Sequence, residues 1–222
     1  MSVRNVVRWA IGLALGMGLM GTAEAGRLVD FSNAAFARVA GATSIPIGHA
    51  DFCKRYPKEC GVNSPVVDDV HLTSQNWQQL LEVNTRFNTS IVPETDEQLY
   101  HVAEYWTYPH GFGDCEDIAL AKRRQLIEDG WPASTLLMTV ARQADGEGHA
   151  VLMVRTDRGD LILDNQDSTI RVWKDSPYHF LKRQSQADAG QWVTIEDPRP
   201  FVMTANATAG TSDPAGAALV SR

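Results

Sequence analysis

The chain has 222 residues and a formal net charge of −7 at pH 7. This length can form one domain with a buried core. The acidic balance argues against nucleic acid as a partner, whereas it is compatible with the binding of a divalent cation.

The first residues have the pattern of a secretory signal peptide. Two arginines precede an apolar stretch over residues 9–21, and an A-x-A cleavage signal ends at Ala25. A membrane anchor is the alternative, but the apolar stretch is shorter than the ~20 residues that a spanning helix needs. We therefore expect residues 1–25 to be removed and the mature protein to be periplasmic or secreted.

Residues 26–70 are rich in glycine, proline, alanine and aspartate, which predicts an irregular N-terminal arm. Cys53 and Cys60 lie close together in this arm, and a local disulfide is the simplest interpretation for an exported protein. A metal site made from these two cysteines is disfavoured, because no second pair or histidine cluster accompanies them. The remaining cysteine is Cys115, and a free thiol outside the cytosol favours a chemical role.

The middle of the chain begins with two helical patterns. Apolar residues recur near helical spacing over 72–91, where Ser74 is a suitable N-cap, so an amphipathic helix is predicted there. A second helix is predicted to begin near residue 96 and to end before an aromatic loop that contains proline and glycine.

A third helix is predicted to run from Cys115 to about Asp129. Asp114 is a suitable N-cap for it, and Gly130 is well placed just beyond its end. A thiol at a helix N-terminus lies beside unpaired N–H groups and the positive end of the helix dipole, which favour the thiolate. The backbone N–H of Cys115 is also a candidate oxyanion donor. The sequence thus predicts Cys115 as a nucleophile.

The second half of the chain has the composition of strands and tight turns. Strands are predicted over 134–142, 149–155, 160–165, 168–173 and 190–196. Helices followed by an antiparallel sheet predict one α+β domain over residues 71–200. The small and polar residues of 201–222 predict a disordered tail.

The hairpin predicted from residue 149 to residue 165 suggests a base for the thiol. A four-residue turn would pair Val151 with Asp164 and put His149 two residues along on the same face, about 7–8 Å from Asp164. A two-residue turn keeps this parity, whereas an odd-length loop would separate the two side chains. The pattern predicts an imidazole held by a carboxylate, as in a Cys-His-Asp triad. Structural roles are predicted for His49, His71, His101, His110 and His179, with His110 as the strongest rival base.

Three acidic residues surround the predicted nucleophile. Carboxylates at Asp114, Glu116 and Asp117 oppose formation of the thiolate and repel one another. One explanation is that acidic side chains favour the first turn of a helix. The other is a bound Ca²⁺, which takes several oxygen ligands and would neutralise the charges beside the thiol. We predict a calcium site formed by these three residues.

The segments that carry these predictions resemble the bacterial transglutaminase-like cysteine proteinases, a family that includes the LapG-type periplasmic proteases. They are "WQQLLEVNTRFN" (77–88), "DEQLYHVAEYWTYPHGFGDCEDIALAKRRQLIEDGWP" (96–132), "GHAVLMV" (148–154) and "DLILDN" (160–165). The resemblance implies a papain-like, transglutaminase-type fold in which Cys115 is the nucleophile, His149 the general base and acid, and Asp164 the group that orients His149. It also implies calcium bound by the acids around the nucleophile.

The same resemblance implies a protein substrate, a surface adhesin, and regulation by an inner-membrane receptor that senses cyclic di-GMP. The primary functional hypothesis is an exported cysteine endopeptidase supported by calcium. A transglutaminase-like acyl transferase would use the same triad with an amine as acceptor. A non-catalytic binding domain is the third hypothesis, and the complete Cys-His-Asp set argues against it.

Overall fold

The computed structural model describes residues 36–201. The predicted signal peptide (1–25) lies outside them, as does the predicted tail (201–222) apart from its first residue. The helices are α1 (Ile47–Arg55), α2 (Ser74–Ser90), α3 (Asp96–Tyr100) and α4 (Cys115–Glu128). The strands are β1 (Val39–Thr43), β2 (Val92–Pro93), β3 (Phe112–Gly113), β4 (Leu136–Arg142), β5 (Gly148–Thr156), β6 (Gly159–Leu163), β7 (Arg171–Val172), β8 (His179–Gln184) and β9 (Trp192–Ile195).

Seven of these strands form one antiparallel sheet in the order β1-β9-β8-β4-β5-β6-β7. Helix α4 packs on β4 and β5 and is covered in turn by α2. The core between them is apolar and includes Leu120 and Leu126 of α4 with Val151 and Met153 of β5. Because α4 lies against the centre of the sheet, its first residue, Cys115, is brought beside β5. The predicted α+β architecture is confirmed, and no helix within residues 36–201 is long and apolar enough to cross a bilayer.

The hairpin of β5 and β6 has the register expected from the sequence. Arg155 pairs with Asp160, and the pairing continues by one more step to Thr156 and Gly159. The turn is therefore two residues long rather than four, and this shorter turn leaves the parity of both strands unchanged.

The N-terminal arm is more regular than its composition suggests. The prediction of an irregular segment over 26–70 is wrong for β1, which pairs with β9 at the edge of the sheet, and for α1. Both elements depend on tertiary contacts: β1 is largely exposed and lacks strand alternation, and α1 has no side-chain cap. The predicted disulfide between Cys53 and Cys60 is present, with an S–S distance of 2.08 Å.

Two predicted helix caps differ from the structure. Thr73, not Ser74, caps α2 by accepting a hydrogen bond from the N–H of Asn76. Asp114 occupies the N-cap position of α4, but its side chain makes no capping hydrogen bond. The predicted role of Gly130 is confirmed, since it follows α4 with a φ of 94°. The Asp114 carboxylate is therefore not used to begin the helix.

Gly48 in α1 allows close approach of a large side chain. A Cβ atom at this position would lie 2.6 Å from Nε1 of Trp106, whose ring is buried. We expect Gly48→Ala to lower the free energy of unfolding by about 2 kcal/mol, because overpacking displaces neighbouring groups. Denaturant titration measures the change, with Gly41→Ala on β1 as the control, since a Cβ there meets nothing within 4 Å. Equal stability of the two variants would contradict the prediction.

Candidate active site

Cys115, His149 and Asp164 lie together at the junction of α4 and the β5–β6 hairpin. His149 Nε2 donates a hydrogen bond to Asp164 Oδ1 over 2.8 Å, and both side chains are buried. The backbone N–H of Ala150, the residue after His149, donates to Cys115 Sγ over 3.4 Å. His149 Nδ1 has no hydrogen-bond partner among the described residues. The arrangement leaves this nitrogen available for a proton exchanged with the thiol.

The carboxylate of Asp164 is held in its ionised form. Burial acts to raise its pKa, but the hydrogen bond and charge of His149 and the hydroxyl of Tyr178 outweigh burial and lower it. The Tyr178 hydroxyl donates to Oδ2 over 2.5 Å, and the N–H of Gln166 donates to Oδ1 over 3.0 Å. Asp164 can therefore orient His149 and stabilise its imidazolium form.

The thiol of Cys115 is held in its protonated form. It donates a hydrogen bond to Glu116 Oε2 over 3.1 Å. Burial raises its pKa well above the usual value, and the negative charges of Glu116 and Asp114 raise it further. The helix N-terminus favours the thiolate, but burial and the neighbouring acids together keep the pKa raised. Activation of the sulfur thus requires that the charge of these acids be compensated.

A group of buried and half-buried carboxylates lies beside the thiol. Oxygen atoms of Asp96, Asp114 and Glu116 all lie within 4.8 Å of one another. Burial raises the pKa of all three residues, and for Glu116 the charge of Asp114 raises it further. Oδ1 of Asp96 and Oδ1 of Asp114 are buried without a hydrogen-bond partner. Carboxylate oxygens left in this state fit a hard cation such as Ca²⁺.

This group differs from the predicted metal ligands in one member. Asp114 and Glu116 belong to it, whereas Asp117 does not. Asp117 Oδ1 accepts a hydrogen bond from the N–H of Thr107 over 2.7 Å, and burial raises its pKa to about 8. The third member, Asp96, was not identified from the sequence. It lies in the first turn of α3, between the capping-box residues Thr95 and Gln98, and an acidic residue is common at such a position.

Cys115 and His149 line an open cleft of about 340 Å³. Its lining includes the apolar residues Ile47, at the start of α1, Trp106 and Val140. Cys115 is the first residue of α4, where backbone N–H groups have no acceptor within the helix. An extended chain in the cleft would therefore meet a nucleophile, a base and candidate oxyanion donors together.

The rival histidines do not line this cleft. His110 is exposed in the loop before β3. His49 is buried in α1, where Trp192 Nε1 donates to its Nδ1 over 3.2 Å. Burial lowers the pKa of His49 to about 4, with a further contribution from Arg123. His49 is thus a neutral core residue.

The sequence matches the family described as bacterial transglutaminase-like cysteine proteinase BTLCP over residues 39–200. No curated protein matches the chain significantly. The chain is similar to Legionella pneumophila LapG in its calcium-bound structure, at 29% identity and a TM-score of 0.46, over 53% of this chain and 68% of that chain. It is also similar to the EGTA-treated structure of Legionella pneumophila LapG, at 29% identity and a TM-score of 0.46, over 55% of this chain and 72% of that chain.

The family match covers most of the chain, including the whole β5–β6 hairpin and the segment around Cys115. The family predicted from the sequence is thereby confirmed, as is the transglutaminase-like α+β fold. The protein belongs to the bacterial transglutaminase-like cysteine proteinases and is a cysteine protease.

Proposed function

We propose that Cys115, His149 and Asp164 form the catalytic triad of an exported endopeptidase. The observation that carries this proposal is the buried 2.8 Å hydrogen bond from His149 to Asp164 in the wall of the cleft that contains Cys115. Because Nε2 is bound to Asp164, Nδ1 is the nitrogen that exchanges a proton with the sulfur.

The reaction proceeds in two steps through a covalent intermediate. His149 Nδ1 accepts the proton of the Cys115 thiol, and the resulting thiolate attacks the peptide carbonyl carbon. A C–S bond forms, and backbone N–H groups at the start of α4 stabilise the oxyanion. The imidazolium of His149 gives its proton to the leaving amine as the C–N bond breaks, which leaves a thioester. His149 then accepts a proton from water as the water attacks the thioester. The acid product leaves, and the proton returns to the sulfur.

We further propose that calcium binds at Asp96, Asp114 and Glu116, with Asp117 adjacent. The unpartnered and buried oxygens of Asp96 and Asp114 support this proposal. A bound cation supplies positive charge that compensates the carboxylates beside the thiol. Glu116 is the residue that links the two sites, because the same carboxylate accepts the hydrogen bond of the thiol. Legionella pneumophila LapG has been solved both with calcium and after EGTA treatment.

The substrate that we propose is a protein of the same compartment, specifically a surface adhesin, and the regulatory partner an inner-membrane receptor responsive to cyclic di-GMP. The pattern of the first 25 residues supports export. The Cys53–Cys60 disulfide supports it as well, because disulfides persist in oxidising compartments. The open cleft beside β5 is suited to an extended segment of a folded protein's surface.

N-terminal sequencing of proteins released from cells tests this function. Cells that express the protein are expected to release fragments with new N-termini, and cells that express Cys115→Ala are not. Covalent cross-links in place of fragments would indicate acyl transfer to amines. If neither fragments nor cross-links depend on Cys115, the domain binds its partner without catalysis, and the proposed function is wrong.

A further inference from the structure

Tyr178 contacts both of the residues that we propose to support the nucleophile. Its hydroxyl donates a hydrogen bond to Asp164 Oδ2 over 2.5 Å. Its ring lies 4.9 Å from the imidazole of His149, measured between centroids. The side chain is only 7% exposed. These two contacts belong to one residue just before β8, a strand that β4 separates from the catalytic hairpin in the order of the sheet.

We propose that Tyr178 is a positioning residue of the active site, which fixes Asp164 and thereby His149. The inference rests on the triad proposed above. Among the described residues, Tyr178 is the hydrogen-bond partner of Asp164 Oδ2, whereas Oδ1 accepts from both His149 and Gln166. Without the hydroxyl, one carboxylate oxygen would be buried and unpaired, and the carboxylate plane would be less constrained.

The segment that carries Tyr178 is itself held firmly. The guanidinium of Arg199 donates to the carbonyl oxygen of Tyr178 over 2.6 Å and to that of Ser176 over 2.8 Å. The same guanidinium pairs with Asp197 over 2.6 Å and lies 5.3 Å from the ring of Trp173. Because these contacts hold the Tyr178 segment in place, Tyr178 cannot move along with Asp164 and can restrict the position of the Asp164 carboxylate.

The Tyr178 hydroxyl also affects the charge of Asp164. A hydrogen bond donated to a carboxylate withdraws charge from it, so Asp164 holds the imidazolium of His149 less strongly than an unbonded carboxylate would. The other ionisable groups around this pair are Cys115, Glu116 beside Cys115, the buried Lys122 of α4, and Asp167. None of them is altered when only the hydroxyl is removed. Loss of the hydroxyl therefore has two opposite effects. It impairs the alignment of Asp164 and His149, but it strengthens the attraction between the Asp164 carboxylate and the imidazolium.

Tyr178→Phe tests the assignment, because it keeps the ring on His149 and removes only the hydrogen bond. We expect kcat to fall about tenfold, as for other residues that orient a reacting group, with KM unchanged. Tyr56→Phe, which removes a hydroxyl from a half-buried tyrosine outside the cleft, should behave as the wild type. Wild-type kinetics for Tyr178→Phe, or a rise in KM alone, would overturn the proposal.

A double-mutant cycle shows whether Tyr178 acts through Asp164. In an Asp164→Asn background, Tyr178→Phe should lower kcat by much less than tenfold, since the partner of the hydroxyl is already lost. An equal loss in both backgrounds would mean that Tyr178 acts on stability or on another group, and the assignment would be wrong.

A measurement without turnover separates this inference from the proposed function. We expect the proton in the buried hydrogen bond between His149 Nε2 and Asp164 to give a low-field NMR resonance in the folded protein. It should move downfield in Tyr178→Phe even if the protein cleaves nothing. An unmoved resonance would refute the positioning role whatever the activity of the protein.

Discussion

Cys115→Ala is expected to lower the rate of substrate cleavage by at least about 10⁴-fold, the scale seen when the nucleophile of a triad is removed. No other described side chain can form the thioester, because Cys115 is the free cysteine of the described chain. His149 and Asp164 remain in place in this variant, but a base without a nucleophile leaves only weak activation of water. The measurement is the initial rate of cleavage of a released substrate by equal amounts of the two proteins.

The control for this variant is its stability. The sulfur makes a hydrogen bond to Glu116 and accepts one from the N–H of Ala150, so its loss should change the free energy of unfolding by only about 1 kcal/mol. Arg124→Ala, on the exposed side of the same helix, is the matched variant and should retain the wild-type rate. Cleavage at the wild-type rate by folded Cys115→Ala would exclude Cys115 as the nucleophile.

The geometry of the His149–Asp164 pair could be predicted because it depends on local structure. Two strands joined by a tight turn place residues by parity, and both a two-residue and a four-residue turn give the same face. The observed turn is two residues long, and His149 still meets Asp164. The prediction therefore survived an error in the length of the turn, whereas a one-residue error would have separated the side chains.

Asp96 and Tyr178 could not be predicted as parts of the site because loops bring them there. Asp96 lies at the start of a short helix, and the path of the loop that follows α3 decides whether it faces Asp114. Tyr178 precedes β8, a strand that is separated from β5 in the sheet by β4. Contacts between distant parts of the chain leave no periodic pattern in the sequence. From the sequence alone, Asp96 therefore resembles an ordinary first-turn acid and Tyr178 an ordinary core tyrosine.

Strand β8 was not predicted because polar side chains occupy its buried positions. Arg183 and Gln184 are 2% and 1% exposed, which conceals the apolar alternation of a strand. Gln184 is buried because it is hydrogen-bonded: it accepts from the N–H of Met138 and donates to the carbonyl of Ala189. Strand β1 was not predicted because its side chains are mostly exposed and show no alternation. It forms a strand because it pairs with β9.

Calcium is expected to raise the melting temperature of the metal-free protein by about 10 °C when the free ion exceeds its dissociation constant about a thousandfold. Binding to the native state alone adds ~4 kcal/mol at that excess, and each kcal/mol raises the melting temperature of a domain of this size by about 2–4 °C. The physical reason is that the ion replaces repulsion among Asp96, Asp114 and Glu116 by attraction. A chelator should reverse the shift and lower the rate of cleavage.

The size of this shift should depend on pH. Burial raises the pKa of Asp117 to about 8 and raises those of Asp114 and Glu116 as well. Since the folded protein holds these protons more tightly than the unfolded chain, their stabilising contribution is complete below the usual carboxyl pKa of about 4 and is lost as pH rises through the raised values. Calcium needs ionised ligands, so protons compete with it. The calcium-induced shift should therefore be larger at pH 8 than at pH 6.

Paired substitutions separate a calcium site from a set of first-turn acids. Asp96→Asn removes a ligand from a different segment of the chain than α4, so it should abolish most of the calcium-induced shift without altering the start of that helix. Glu82→Gln, at an exposed position of α2, removes the same charge elsewhere and should leave the shift intact. Scanning calorimetry with calcium and with chelator measures both variants. If calcium leaves the wild-type melting temperature unchanged at either pH, then the carboxyls beside Cys115 remain protonated at neutral pH. In that case these carboxyls are neutral, no cation is needed to compensate them, and His149 alone activates the thiol.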